Sequence, residues 1–92
     1  MPRRNLPDRE RKPPPGHSRV APAIGAYIRL QRRKNRLRQD ELAALAGVGV
    51  RFVGEVEAGK ATARLNSLEA LLAVFGKTLA IVDAREEVTD DA

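Results

Sequence analysis

The chain has 92 residues, no cysteine, no tryptophan and a formal net charge of +5. That length accommodates one small core rather than two, and the lack of thiols excludes a disulfide framework or a thiolate metal site. No apolar run approaches a membrane span and Arg3-Arg4 is not followed by the apolar stretch of a secretory signal, so the expectation is a soluble cytoplasmic protein without a membrane partner.

The charge is unevenly spread. Of the 17 Lys and Arg, 12 precede Gln39, against 2 of the 12 Asp and Glu; residues 83–92 carry a net −4. Arg3, Arg4, Arg9, Arg11, Lys12 and Arg19, then Arg29, Arg32, Arg33, Lys34, Arg36 and Arg38, are the residue types that replace counterions along a phosphate backbone. A solvated helix face with a soluble tail would carry the same charges.

Residues 1–22 are basic and Pro-rich, with five of the six prolines within residues 1–15 and no apolar period. This segment is expected to be disordered or polyproline-like when free. It reads either as an arm that lies along phosphates or in a minor groove, or as a solubilising leader. His17 has no second His, no Cys and no acidic cluster beside it, and reads as a bystander rather than a ligand or base.

Residues 23–76 carry helical periodicity. Ile24, Tyr27 and Ile28 predict a first helix over Ala23–Asn35, with Arg32-Arg33-Lys34 at the carboxyl end where cations suit the dipole. Leu37 to Lys60 then holds two short apolar-periodic segments hinged on Gly47 and closed by Gly59-Lys60, the spacing of a helix-turn-helix. In the first, opened by Gln39-Asp40-Glu41, the apolar stripe is Leu42, Leu45 and Ala46. Gly47 supplies the left-handed residue at its end, and Val48 folds back as a plug. In the second, Val53 and Val56 share one face while Val50, Arg51, Gly54 and Glu55 fall on or near the other.

After the loop Ala61–Arg64, Asn66 with Glu69 predicts a capped helix start. Leu68, Leu71, Leu72 and Phe75 form its apolar face and Gly76 its end. Within residues 77–83, Thr78 to Val82 reads as one β-strand. A lone strand leaves its backbone groups unpaired, so Leu79, Ala80, Ile81 and Val82 are expected to pair with the same segment of a second copy; a fifth short helix or a tail lying on the core are the alternatives. Residues 84–92 form an acidic tail, expected to be disordered or to bind a partner.

No catalytic constellation is visible. The single His lies in the Pro-rich segment, Ser67 belongs to a helix start, and no glycine loop cradles a phosphate. The expectation is a non-enzyme with no metal and no cofactor.

Leu37-x-Gln39-x-x-Leu42-Ala43-x-x-Ala46-Gly47-Val48, followed by Glu55-Val56-Glu57-Ala58-Gly59-Lys60, resembles the Cro/repressor-type helix-turn-helix of the XRE family, from Ile24 to about Phe75. Gly47-Val48-Gly49, Arg51-Phe52-Val53, Thr62-Ala63, Phe75-Gly76-Lys77 and Leu79-Ala80-Ile81-Val82 are similar, more narrowly, to HipB-like antitoxins. The resemblance implies an all-α domain of four to five helices with one C-terminal strand pairing across a homodimer. It implies a repressor of its own operon, partnered by double-stranded operator DNA and by a HipA-type kinase toxin. It implies that Gln39 touches the DNA backbone, and that Val50, Arg51, Gly54 and Glu55 face base edges or nearby phosphates. Lys60, Thr62 and Arg64 would hold a phosphate across the groove.

Three departures matter. Arg38 stands where Ser or Thr usually caps the helix, losing a cap worth about 0.5–2 kcal/mol while offering a phosphate contact. Arg36 stands where Gly is common. Val50 and Gly54 give the reading face little hydrogen-bonding capacity, which motivates one other reading, a helix-turn-helix used only to hold a protein partner. A stand-alone XRE regulator without a toxin is the other alternative, since such regulators share most of these letters.

Overall fold

The computed structural model describes residues 18–84. Both the basic segment before Ser18, His17 included, and the acidic tail after Ala84 lie outside the described residues. Four helices follow one another: α1 (Ala21–Lys34), α2 (Gln39–Ala46), α3 (Val50–Glu57) and α4 (Leu65–Val74). α3 packs against both α1 and α2, and α2 also packs against α4.

The helix α1 begins two residues before the predicted Ala23. Pro22 sits in its first turn, where a missing N–H costs nothing. Ser18 secures the entry, its Oγ accepting from the backbone N–H of Val20 at 3.2 Å and of Ala21 at 3.0 Å.

Between α1 and α2, Arg36 takes a left-handed backbone with φ 58°. This turn normally suits Gly, and the side chain makes it costly. At the end of α2, Gly47 is left-handed as expected (φ 75°). The Val48 N–H donates to the Ala43 carbonyl at 3.0 Å and the Gly47 N–H reaches that of Ala44 at 3.3 Å, a Schellman closure. Val48 is half-buried against the core, the plug the sequence suggests.

The core is Ile28, Leu42, Ala43, Val53, Val56, Leu68, Leu71 and Leu72. Ile24, Tyr27, Phe52, Phe75 and Leu79 pack on its margin. In α2 the stripe differs from expectation: Ala43 is buried while Leu45 is 63% exposed. An eight-residue helix wedged between α3 and α4 buries neighbours on two sides, so a single i, i+3, i+4 stripe describes it poorly.

Two further expectations are corrected. α4 begins at Leu65, with extended Arg64 as its flank and no side-chain cap. Asn66 therefore lies inside the first turn and cannot form a box with Glu69. No strand occurs among the described residues: Leu79, Ala80, Ile81 and Val82 belong to no regular element. A strand requires a ladder partner, and the four-helix unit presents none. Leu79 folds against the core, whereas Ile81 and Val82 stand 97% and 72% exposed.

α1 crosses α3 at Gly25, which is buried. A Cβ there would overlap the carbonyl oxygen of Val56 and come within 3.1 Å of that of Glu57. The residue is glycine because two helix backbones meet at it, a role that periodicity does not reveal.

Candidate nucleic-acid interface

The arrangement of α3 starts from its sequence. At about 3.6 residues per turn, Val53 and Val56 point inward and are 0% and 4% exposed. Val50 and Arg51 point outward, with the Arg51 side chain 91% exposed. The helix is thus an amphipathic rod whose outer face is exposed at Val50 and Arg51 and partly exposed at Gly54 and Glu55.

Its last residue is tied down. The Glu57 side chain is 5% exposed and lies against Arg32 of α1, itself 12% exposed. Arg32 Nε donates to Glu57 Oε2 at 2.7 Å and Arg32 Nη2 to Oε1 at 3.0 Å, a two-pronged pair. Arg32 Nη1 also donates to the Leu37 carbonyl at 2.9 Å, and Gln39 Nε2 to Glu57 Oε1 at 3.1 Å. The Arg32–Glu57 pair thereby fastens α1, the turn after it, α2 and α3 together. Burial alone would push the Glu57 carboxyl up. The hydrogen bonds from Arg32 and Gln39, with the charges of Arg32 and Arg29, outweigh that effect and hold it below its ordinary value.

Sequence reasoning missed this network. Arg32 and Glu57 are 25 residues apart on different helices, and nothing in the local period couples them. Gln39 is at the start of α2 as expected, with one amide hydrogen already committed to Glu57. Its side chain passes over Gly54, where a Cβ would stand 3.8 Å from Gln39 Oε1, an ordinary contact.

Arg38 precedes α2 and gives it no side-chain cap, since a guanidinium has no acceptor. Instead, the Arg38 backbone N–H donates to Glu41 Oε1 at 2.7 Å, one half of a capping box. Its guanidinium reaches Asp40 at 3.1 Å and Glu41 at 3.5 Å at the surface. The hydrogen bond from Arg38 holds the Asp40 carboxyl below its ordinary value.

The remaining predicted residues gather on the far side of α3. Glu55 lies between Arg51, at 3.4 Å, and Lys60, at 3.5 Å. Lys60, Thr62 and Arg64 line one cleft of about 230 Å³ with Phe52, Glu55 and Val56. A second cleft of about 390 Å³ is lined by Arg29, Arg32, Arg33, Gln39, Gly54, Glu57 and Ala58. All nine predicted residues are therefore on α3, at its flanks or at the start of α2; Val50, Gly54 and Arg51 come together on the outer face, and Arg38 stands beside Gln39. None of them belongs to the buried apolar core.

Among the described residues no group of His, Cys, Asp and Glu is placed to hold a metal, and no helix is long and apolar enough to cross a membrane. A protein from Sinorhizobium fredii (strain NBRC 101917 / NGR234), the uncharacterized HTH-type transcriptional regulator y4mF, is 46% identical over 59 residues, covering 64% of this chain and 78% of that protein. The helix-turn-helix family model matches residues 28–82, from the middle of α1 through the segment after α4. With α2, the Gly47 turn and α3 placed as above, the chain belongs to the helix-turn-helix family of the XRE type.

Proposed function

We propose that this protein is a DNA-binding transcriptional regulator that lays the outer face of α3 in the major groove. The observation that carries the reading is α3 itself: its inner face is locked by Val53, Val56 and the Glu57 network, while Val50, Arg51 and Gly54 face outward between two clefts lined with cations. The similarity to y4mF supports the regulatory role. Arg51 is the base-reading residue, since a guanidinium donates two hydrogen bonds to guanine. Gln39 and Arg38 touch backbone at the start of α2, and Lys60, Thr62 and Arg64 hold a phosphate after α3. Glu55 positions Arg51 and Lys60 rather than meeting phosphate itself.

The protein acts as a homodimeric autorepressor in this reading. Its dimer contact involves Leu79–Val82, supported by the exposure of Ile81 and Val82 beyond the last helix. The HipB-like letters quoted above support an antitoxin role toward a HipA-type kinase. The plain side chains of Val50 and Gly54 favour, as second reading, a module that holds a protein partner instead of DNA.

The test is a titration of the purified protein on its own upstream DNA and on a scrambled duplex at two salt concentrations. Preference for the upstream DNA that persists at higher salt is expected. Equal binding that collapses with salt would remove sequence reading and bring the protein-interaction module forward.

A further inference from the structure

We propose that Arg29 and Arg33 of α1 form a second phosphate-binding cleft, so that α3 is clamped by the protein onto both backbones of one major groove. This rests on the DNA-binding reading and adds a contact surface to it. Arg29 and Arg33 are one turn apart, exposed, and make no ion pair or side-chain hydrogen bond with another described residue. They open onto the cleft that also holds Gln39 and Gly54.

Three features make that cleft an anion site rather than a patch of surface charge. The one carboxylate in it, Glu57, is 5% exposed and has both oxygens occupied by Arg32 and Gln39, so it presents no free anionic oxygen to an incoming phosphate. Gly54 puts no side chain of its own on the adjoining surface of α3, so the group that covers the helix there is the Gln39 amide. The Gln39 amide, which lines the same cleft, retains one hydrogen not given to Glu57.

The position relative to α3 gives the cleft its meaning. Gly54, Glu57 and Ala58 line this one, and Phe52, Glu55 and Val56 line the Lys60, Thr62 and Arg64 cleft. At about 3.6 residues per turn these two sets point to nearly opposite sides of the helix. A helix seated in a major groove has one phosphate backbone on each side, the groove being about 12 Å wide. Each cleft then meets a different strand.

The test uses the full chain with R29Q/R33Q, which keeps long polar side chains, and K60Q/R64Q for comparison. Each contact removed reduces the slope of log affinity against log salt by about 0.9, so R29Q/R33Q should lower it by about 1.8 on upstream and scrambled DNA alike, with a thermal melt lowered only slightly, through loss of the Arg29 charge near Glu57. Ethylation interference on the wild type should show two clusters of sensitive phosphates facing each other across one major groove, of which R29Q/R33Q weakens the one that Gln39 shares and K60Q/R64Q the other. Binding by the wild type with a single cluster, or an unchanged slope in R29Q/R33Q, overturns this inference alone. A wild type that binds no duplex overturns it together with the DNA-binding reading.

Discussion

The two faces of α3 obey different rules although they belong to one helix only about 10–12 Å across with its side chains. The inner face is crowded and fully satisfied: Val53 and Val56 are core, Glu57 is fixed by three donor contacts, and Gly25 admits the α1 backbone against it. The outer face is loose, with Arg51 almost wholly exposed and a single long ion pair to Glu55. A reading helix needs both, because side chains can probe base edges only if the rod beneath them does not shift. Mutations on the inner face should therefore act on stability, and those on the outer face on binding.

The largest effect is expected from Arg32→Ala. It strands the Glu57 carboxylate at low exposure and should cost about 3–5 kcal/mol in chemical denaturation. Replacing both partners by Met should cost much less; an equal loss in the double variant would show that packing rather than the stranded charge dominates. Gly25→Ala comes next. Overlap with a helix carbonyl cannot be relieved by side-chain rotation, so a loss near the upper end of about 1–3 kcal/mol is expected, and a melt unchanged from wild type would break the picture of two helices in backbone contact.

The same network sets the acid response. The folded carboxyl of Glu57 titrates below its ordinary value, so its stabilising contribution is complete above the ordinary carboxylate range and is lost as pH falls through the folded value. Urea midpoints measured from neutral to acidic pH should fall in the wild type and fall less in Glu57→Gln. A steeper decline in the variant would place the titrating group elsewhere.

Outer-face substitutions should separate binding from stability. Arg51→Ala is expected to change stability by no more than about 0.5 kcal/mol, the worth of a helix ion pair, yet to reduce discrimination between upstream and scrambled DNA by about 1–3 kcal/mol. Equal loss on both duplexes would count against base reading by Arg51. The smallest effect is a gain: Gly54→Ala should stabilise the chain by about 1 kcal/mol through helix propensity, since its Cβ meets Gln39 at an ordinary 3.8 Å. A loss of DNA affinity in that stabilised variant would show that the absence of a side chain at Gly54 serves the approach of the duplex.

The sequence by itself determined the four helices, the Gly47 turn, the family and which face of α3 is free. These follow from local causes: a 3.6-residue apolar period, a left-handed residue at a helix end, and charge at helix termini. It also marked Arg36 and Arg38 as residues out of place, and both are: Arg36 is left-handed and Arg38 leaves α2 without a side-chain cap.

Only the tertiary structure decided the rest. Ala43 rather than Leu45 is core because α2 is wedged between two helices. Gly25 matters because α3 crosses it, and Arg32, Glu57 and Gln39 meet although no spacing along the chain relates them. Leu79–Val82 has the composition of a strand and forms none, because β-structure depends on a partner that a propensity cannot supply. Arg29 and Arg33 were legible in the sequence only as charge; their common cleft beside α3 is a consequence of how α1 crosses it.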